Sequence, residues 1–419
     1  MDKFVIYKST LSGVVKISGS KNTTLPIMAA TLLTDQECKI SNVPDIMDIR
    51  TMIKILEVLG KQVIFDGKTL IIKPTKRESV VAPYRLVRTM RASFCCLGPL
   101  IAKRKKAKVS LPGGCVIGVR PVDLHIKGLR ELGAEIIIEK GYCIAKAKNL
   151  HGKHIYLGGA FGSSVLATAN VMMAASLAQG QTIIEYAACE PEVEALGKFL
   201  KKMGAQIYGE GTPLIKIDGV KKLEGCEFDI IPDRIEAGTF IAASLITRSP
   251  LEIKEVQPLH LTSVIEISKK IGADIVIKDK SIFIKPKSSF KPVNIVTLPY
   301  PGFPTDLQAQ FMAVLSLVKG VSLITEKIYP DRFMHVAELN RMGANIQRSG
   351  PYAIVEGVDK LYGAEVMASD LRASAALVIA GLAAENKTEV FRVYHIDRGY
   401  ECIEEKLRQV GAKIYREKQ

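Results

Sequence analysis

The segment LPGGCVIGVRPVDLH, residues 111–125, places Cys115 in a stretch whose glycines and prolines disfavour a helix or a strand. A thiol in such a loop is expected to be exposed for part of the time, and the nearby Arg120 could stabilise its thiolate. This setting makes Cys115 a candidate reactive group, with a passive thiol as the alternative. His125 is expected to orient the loop or to begin the next helix rather than to act as a base.

Polar residues gather at the starts of six apolar segments that are predicted to be helices. Helix N-termini carry unpaired N–H groups and a partial positive charge, so they attract anions. Serine, asparagine and aspartate at these starts also fit ordinary N-capping. Capping does not explain the cations Lys21, Arg91, Arg234 and Arg372, because a positive charge is disfavoured at the positive end of a helix. The pattern therefore favours a binding site for a small polyanion.

One sequence pattern recurs six times along the chain: a helical stretch, a hydrophobic residue, a glycine and a short alternating segment, as in GLRELGAEIII. A glycine with a positive φ can end the helix, and alternation with a period of two predicts a strand directly after it. Each repeat of about 70 residues is therefore expected to contain a helix followed by a β-hairpin. The six glycines, at intervals of 68 to 73 residues, are Gly60, Gly133, Gly204, Gly272, Gly343 and Gly411.

The apolar helix in each repeat predicts an inside-out α/β (α+β) fold. These helices are hydrophobic on nearly all faces and should be buried, whereas the alternating hairpin strands should keep one face in water. The last repeat lacks its second hairpin strand, which the N-terminal strand, residues 3–8, is expected to supply. We therefore expect two domains of three repeats with a cleft between them: residues 21–231, carrying the Cys115 loop, and residues 1–20 with 232–419.

Composition excludes several classes of protein. The chain has 419 residues, of which 47% are hydrophobic and 24% charged, as in a globular protein. No apolar stretch reaches the roughly 18–20 residues that cross a bilayer, and the N-terminus has no long apolar core, so a cytoplasmic protein without membrane contact is expected. The eight cysteines form no pattern typical of zinc sites, so no metal is expected. The net charge of +15 is spread along the chain, which leaves nucleic-acid binding as a minor alternative.

Nine motifs spread over the whole chain resemble the UDP-N-acetylglucosamine 1-carboxyvinyltransferase branch of the enolpyruvyl transferase family. They are ISGSKN (17–22), RTMRAS (88–93), LPGGCVIGVRPVDLH (111–125), ACEPE (188–192), DRIEAGTF (233–240), FPTDLQAQ (303–310), DRFMHV (331–336), DLRASAALVIAG (370–381) and HIDRGYE (395–401). The family's fold consists of two inside-out α/β domains. The resemblance implies transfer of the enolpyruvyl group of phosphoenolpyruvate to the 3′-hydroxyl of UDP-N-acetylglucosamine, with release of phosphate and without a metal or an organic cofactor.

The resemblance also assigns residues to the reaction. It implies that Cys115 is the acid, which can also form a covalent adduct, that Asp306 lies beside the sugar hydroxyl and could act as the base, and that Asp370 supports the reacting centre. The phosphoenolpyruvate clamp would comprise Lys21, Arg120 and Arg398, with Asn22 and Arg372 adjoining. Nucleotide-sugar contacts would come from Arg91, Arg120, Pro121, Val122, Asp123, Leu124, Gly162, Ser163, Ser164, Val165, Asp306 and Ile328. Arg332 is a further candidate substrate-binding residue.

One position departs from the family pattern. The family usually has glycine where this chain has Leu166, beside the expected diphosphate site. The bulky side chain predicts altered contacts at residues 162–166 and weaker nucleotide binding. This departure makes a diverged or inactive paralogue one alternative. A second alternative is 5-enolpyruvylshikimate-3-phosphate synthase, which shares the fold but lacks the PGGC loop, and a third is a basic nucleic-acid-binding protein.

Overall fold

Helices and strands alternate along the whole described chain, residues 2–113 and 122–418 of the computed structural model. The helices are α1 (Lys21–Ala30), α2 (Met47–Val58), α3 (Tyr84–Val87), α4 (Leu97–Arg104), α5 (Asp123–Glu131), α6 (Val165–Ala175), α7 (Pro191–Lys202), α8 (Arg234–Ile246), α9 (Thr262–Ile271), α10 (Gln308–Leu315), α11 (His335–Arg341), α12 (Leu371–Gly381) and α13 (Ile403–Gln409). Short 3₁₀ segments are Thr31–Leu33, Arg91–Cys96, Pro258–Leu261, Thr305–Leu307 and Val393–Arg398. None of the helices in these residues combines the length and the apolar character that crossing a membrane requires.

The strands are short and mostly come in pairs. They are β1 (Asp2–Tyr7), β2 (Val14–Lys16), β3 (Cys38–Ser41), β4 (Lys61–Phe65), β5 (Leu70–Pro74), β6 (Val81–Ala82), β7 (Lys106–Ser110), β8 (Glu135–Glu139), β9 (Tyr142–Lys146), β10 (His154–Tyr156), β11 (Gln181–Glu185), β12 (Gln206–Tyr208), β13 (Leu214–Asp218), β14 (Glu227–Asp229), β15 (Leu251–Lys254), β16 (Ala273–Lys278), β17 (Ser281–Pro286), β18 (Ile295–Thr297), β19 (Val321–Glu326), β20 (Asn345–Ser349), β21 (Tyr352–Glu356), β22 (Glu365–Met367), β23 (Lys387–Phe391) and β24 (Lys413–Lys418).

The described residues divide into two compact units, each with its own core. The N-terminal unit comprises residues 19–113 and 122–231, and the C-terminal unit comprises residues 2–18 and 232–418. In the N-terminal unit the described strands form three sheets, ordered β14-β3-β5-β4, β6-β7-β9-β8 and β10-β11-β13-β12. In the C-terminal unit the orders are β2-β15-β17-β16, β18-β19-β21-β20 and β22-β23-β1-β24.

All six of these sheets share one topology, which confirms the predicted repeat. Each begins with a parallel pair and continues with two antiparallel pairs, the last of which is the hairpin or its equivalent. In the last sheet β1 pairs with both β23 and β24, with Ile6 opposite Thr388 on one side and Ile414 on the other. The N-terminal strand therefore completes the final repeat, as expected from the sequence.

The six repeat glycines all have a positive φ, between 91° and 133°. In this backbone region an L-residue with a Cβ atom is strained, so glycine ends each helix and turns the chain directly into the hairpin.

Burial confirms the inside-out arrangement within each unit. In the C-terminal unit α8, α10 and α12 pack on one another, and nearly all of their side chains are buried. Sheet strands alternate: Ile282 and Ile284 of β17 are fully buried, whereas Phe283 between them is 40% exposed. The apolar helices therefore form the core, and the sheets cover it with one face in water.

Replacement of two repeat glycines separates backbone strain from steric overlap. A Cβ at Gly204 would meet no atom within 4 Å, whereas one at Gly60 would lie 1.9 Å from the carbonyl oxygen of Arg77. We expect Gly204→Ala to lower the free energy of unfolding by about 1–2 kcal/mol through φ strain alone, and Gly60→Ala to lower it further. Urea unfolding measures both, and equal stability of Gly204→Ala and wild type would contradict the strain argument.

Candidate active site

Four of the polar residues at the starts of the buried helices are N-caps. Side-chain oxygens of Ser20, Ser164, Asp233 and Asp370 accept hydrogen bonds from backbone N–H groups in the first turns of α1, α6, α8 and α12. Capping, the alternative considered from the sequence, therefore describes these four residues.

Three of the four cations predicted at these helix starts have partners within their own units. Lys21, the first residue of α1, is buried and lies 2.8 Å from a carboxylate oxygen of the buried Asp48. Arg372, in the first turn of α12, donates to Asp306 at 2.8 Å. The guanidinium of Arg234 lies over the ring of Tyr300. Because these contacts offset a misplaced charge, helix-start cations do not by themselves establish an anion site.

A partly buried charge cluster in the C-terminal unit centres on Asp306. One of its carboxylate oxygens accepts from Arg332 at 2.7 Å and the other accepts from Arg372 at 2.8 Å. The two arginine side chains are only 7% and 5% exposed, but the aspartate is 25% exposed. The carboxylate is therefore held between two buried cations while part of it remains accessible to a ligand.

This arrangement decides the protonation state of Asp306. Burial acts to raise the pKa of the carboxyl, but Arg372 and Arg332 outweigh it and hold the pKa well below its usual range. An ionised carboxylate with a low pKa is a weak base, although it accepts hydrogen bonds well. The geometry thus suits orientation of a hydroxyl better than full removal of its proton.

A network of polar side chains next to the cluster holds the backbone of Asp306 in place. The side-chain amide of Gln310 donates to the carbonyl oxygen of Asp306 at 3.0 Å and also contacts the hydroxyls of Thr239 and Tyr400. Arg372 lies over the ring of Tyr400, 5.5 Å from its centroid. Gln310 and Tyr400 lie in quoted sequence motifs, but sequence reasoning gave neither of them a role.

Asp370 and Arg398 lie near the same histidine. Burial lowers the pKa of His395, the charge of Arg398 lowers it further, and the charge of Asp370 opposes both. Burial also lowers the pKa of His335 to about 4, again against the charge of Asp370. Both imidazoles are therefore neutral near pH 7 and add no positive charge beside Asp370.

Sequence reasoning also missed Glu326, the last residue of β19. Its side chain is fully buried and accepts hydrogen bonds from the backbone N–H groups of Ile328 and Tyr329. No short motif marks this residue, because its partners come from separate segments. The loop that contains Ile328 therefore depends on a carboxylate that no sequence pattern identifies.

In the N-terminal unit, Arg91 lies close to the first turn of α5, which contains Asp123, Leu124 and His125. Burial and, to a smaller extent, the charge of Arg91 lower the pKa of His125 to about 3. The Asn170 amide donates to Nδ1 of His125 at 2.9 Å and to the carbonyl of Phe94 at 3.1 Å. The histidine lies in the first turn of the helix, close to the expected position, and Asn170 links it to α6. Its low pKa keeps it neutral.

The residues expected at the diphosphate, 162–165, form a turn and the start of α6. Gly162 has a φ of 93° and exchanges two backbone hydrogen bonds with Gly159. Asn22 and Val122 lie at the starts of α1 and α5 and are half-buried. Leu166 is half-buried against the core of the unit.

Cys115, Arg120 and Pro121 lie outside the described residues. The seven cysteines that are described all have a raised pKa, and burial is the main cause in each case. For Cys95 the value rises to about 12. None of these thiols is activated, so Cys115 remains the candidate reactive thiol.

The described residues contain no cluster of His, Cys, Asp and Glu that could hold a metal ion. A cavity of about 420 Å³ lies on the second repeat, and its lining includes Lys105, Lys106, Lys146 and Lys148. None of the predicted site residues lines it.

The whole chain has relatives of known class. Residues 6–407 match the family described as "EPSP synthase (3-phosphoshikimate 1-carboxyvinyltransferase)". The fold is that of two solved enzymes: the enolpyruvyl transferase NikO from Streptomyces tendae (TM-score 0.89, 22% identity, 99% of this chain and 98% of that chain) and EPSP synthase from Acinetobacter baumannii (TM-score 0.76, 19% identity, 100% of both chains). At these identities the structures show the fold alone, which is that of enolpyruvyl transferases.

Sequence identity is much higher to a particular branch. The chain is 56% identical to UDP-N-acetylglucosamine 1-carboxyvinyltransferase from Methylacidiphilum infernorum and 52% identical to UDP-N-acetylglucosamine 1-carboxyvinyltransferase 1 from Caldanaerobacter subterraneus, with 99% of both chains covered in each case. The chain therefore belongs to the enolpyruvyl transferase family, and within it to the UDP-N-acetylglucosamine 1-carboxyvinyltransferases.

Replacement of Asp306 tests the charge cluster. Asp306→Asn leaves two buried guanidinium groups beside a neutral amide, so the free energy of unfolding should fall by about 3 kcal/mol. Asp331→Asn is a matched control, because Asp331 pairs with Arg348 at 2.8 Å but is 71% exposed; its loss should cost less than about 1 kcal/mol. Urea unfolding at pH 7 compares the two, and equal losses would contradict the proposed burial of the cluster.

His125 makes stability depend on pH. The pKa of His125 is about 3 in the folded chain, whereas the ordinary value, taken for the unfolded chain, is 6.5. Its contribution to the free energy of unfolding is therefore fully present above pH 6.5 and is lost as the pH falls toward 3. The expected loss is about 1.4 kcal/mol per pH unit within this window. His125→Phe should remove that slope from urea unfolding between pH 6 and pH 4. His151→Phe, at an exposed position, controls for loss of an imidazole, and an unchanged slope in His125→Phe would refute the assignment.

Proposed function

We propose that this chain transfers the enolpyruvyl group of phosphoenolpyruvate to the 3′-hydroxyl of UDP-N-acetylglucosamine and releases phosphate. The observation that carries the proposal is the identity of 49–56% to enzymes of that name over nearly their full length. The reaction begins peptidoglycan precursor synthesis, so cell-wall formation, cell shape and division would depend on it. We further propose a cytoplasmic location, and the mechanism includes no metal, organic cofactor, nucleic acid or membrane.

The chemistry is addition followed by elimination. The 3′-hydroxyl loses its proton to water as its oxygen bonds to C2 of phosphoenolpyruvate, while C3 gains a proton from an acid, which gives a tetrahedral ketal. The deprotonated acid then takes a proton back from C3 as phosphate departs from C2, which restores the double bond in the enolpyruvyl ether. The first step needs a proton donor at C3, which we assign to Cys115, and cations that stabilise phosphate and carboxylate charge.

The C-terminal unit would contribute the acceptor side of the reaction. Asp306, held ionised by Arg332 and Arg372, would accept a hydrogen bond from the sugar hydroxyl and orient its oxygen toward C2. Its low pKa favours this orienting role over complete proton abstraction. Asp370 would support the reacting centre from the N-cap of α12, near His395.

Phosphoenolpyruvate would be bound by cations. We propose that Lys21, Arg120 and Arg398 contact its phosphate and carboxylate, with Asn22 and Arg372 adjoining. Asp48 would hold the Lys21 ammonium in place through their 2.8 Å ion pair. Nucleotide-sugar contacts are assigned to Arg91, to residues 120–124 and 162–165, and to Ile328. The two enolpyruvyl-transferase domains would be residues 21–231 and residues 1–20 with 232–419.

Phosphate release from phosphoenolpyruvate tests the proposal. Wild type should release phosphate only with UDP-N-acetylglucosamine present, and Cys115→Ser should lose most of the rate, by about 100-fold or more, because a hydroxyl is a poorer acid than a thiol. Cys402→Ser is the matched control, since Cys402 is exposed and has a raised pKa. Fosfomycin should label Cys115, which the mass of the peptide containing it would report.

No phosphate release by wild type under any condition would contradict the proposal and favour the diverged paralogue. Leu166→Gly, which restores the usual family residue, would then be the informative variant. Steep, salt-dependent binding to random DNA would instead favour the nucleic-acid alternative.

A further inference from the structure

The loop after β19 is organised around one buried carboxylate. Glu326 is fully buried, and its Oε1 accepts from the backbone N–H groups of Ile328 at 2.9 Å and Tyr329 at 3.0 Å. The same oxygen accepts from the hydroxyl of Thr297 at 2.7 Å, while Oε2 accepts from the hydroxyl of Thr305 at 2.9 Å. Four donors from three segments of the chain therefore converge on a single side chain.

The Thr305 hydroxyl connects Glu326 to Arg332 through two hydrogen bonds. Its Oγ1 accepts a hydrogen bond from a guanidinium nitrogen of Arg332 at 3.0 Å. Because arginine can only donate, the hydroxyl hydrogen must point to another acceptor, and Glu326 is that acceptor. The carboxylate thereby fixes the direction of the hydroxyl, and the hydroxyl fixes the guanidinium.

Arg332 continues the chain of contacts to Asp306. The same guanidinium nitrogen that donates to Thr305 also donates to Asp306 at 2.7 Å. The hydroxyl of Thr297 connects Glu326 to the loop in the same way. It donates to Glu326 and accepts a hydrogen bond from the backbone N–H of Lys327 at 3.0 Å. Glu326 is thus connected to both the backbone of Ile328 and the side chain that holds Asp306.

We propose that Glu326 is a positioning residue for the nucleotide-sugar site: it sets the backbone of Ile328 directly and the Arg332–Asp306 pair through Thr305. The inference rests on the proposed function, since it takes Ile328 and Asp306 as nucleotide-sugar contacts and Arg332 as the residue that holds Asp306. It adds Glu326 and Thr305, which contact no substrate in the proposed site, as residues on which those contacts depend.

Substitution by glutamine breaks this arrangement with little change of shape. Glutamine offers one acceptor oxygen and one amide donor where the carboxylate offered two acceptors. With four donors facing this side chain, at least one of them must lose its partner. Either the Thr305 hydroxyl can no longer direct Arg332, or the N–H groups of Ile328 and Tyr329 are left unpaired.

The test compares four variants in the phosphate-release assay. Glu326→Gln and Thr305→Val should each raise the KM for UDP-N-acetylglucosamine by about tenfold, the size of effect expected from a lost hydrogen bond to a charged group. The KM for phosphoenolpyruvate should change by less than about twofold. Thr305→Ser keeps the hydroxyl and should restore a KM near that of wild type. The double variant Glu326→Gln/Thr305→Val should have a KM for UDP-N-acetylglucosamine no higher than that of the more impaired single variant, because both substitutions disrupt the link through Thr305.

The outcomes separate this inference from the proposed function. Wild type that releases no phosphate would overturn both. Active wild type with an unchanged nucleotide-sugar KM in Thr305→Val would overturn the positioning role alone, even where Glu326→Gln does not fold. A lower melting temperature with equal changes in both KM values would show that Glu326 only stabilises the fold. A Thr305→Ser variant that behaves like Thr305→Val would exclude the hydroxyl as the link.

Discussion

The structure depends on one constraint: six helices that are apolar on nearly all faces must be buried. Each unit meets it by packing such helices together and covering them with four-stranded sheets, so polar side chains on the helices concentrate at their ends. Charges at those ends lie close to the core, where an unpaired charge is costly. The ion pairs Lys21–Asp48 and Asp306–Arg372 follow from this constraint as much as from any binding role.

The same constraint explains how candidate site residues are held. Asp306 lies in the 3₁₀ segment Thr305–Leu307, directly before α10. It is fixed by cations from two other segments, by the side chain of Gln310 and, through Arg332 and Thr305, by Glu326. Such a carboxylate has little freedom to reorient, so its hydrogen-bonding direction is set before any substrate arrives. In an addition to C2 of phosphoenolpyruvate, a fixed acceptor for the attacking hydroxyl is a direct advantage.

Structural features that follow a repeating pattern or a short motif could be predicted from the sequence. The repeat glycines, the hairpins after them and the N-terminal strand in the last sheet were predicted because a positive φ and strand alternation are local properties. Asp48 and Glu326 were missed, because neither belongs to a motif and each has partners distant in sequence: Lys21 for Asp48, and Thr297 and Thr305 for Glu326. The helix-start cations were overinterpreted for the same reason: their counterions Asp48 and Asp306 could not be paired with them from spacing alone.

The central claim is that the Asp306 cluster orients the sugar hydroxyl that receives the enolpyruvyl group. A crystal structure of Cys115→Ser with UDP-N-acetylglucosamine tests it most directly. The account predicts the sugar 3′-oxygen within hydrogen-bond distance of the Asp306 carboxylate, with Arg332 and Arg372 still paired to it. A bound nucleotide sugar whose 3′-oxygen contacts another residue, with Asp306 facing solvent, would contradict the account.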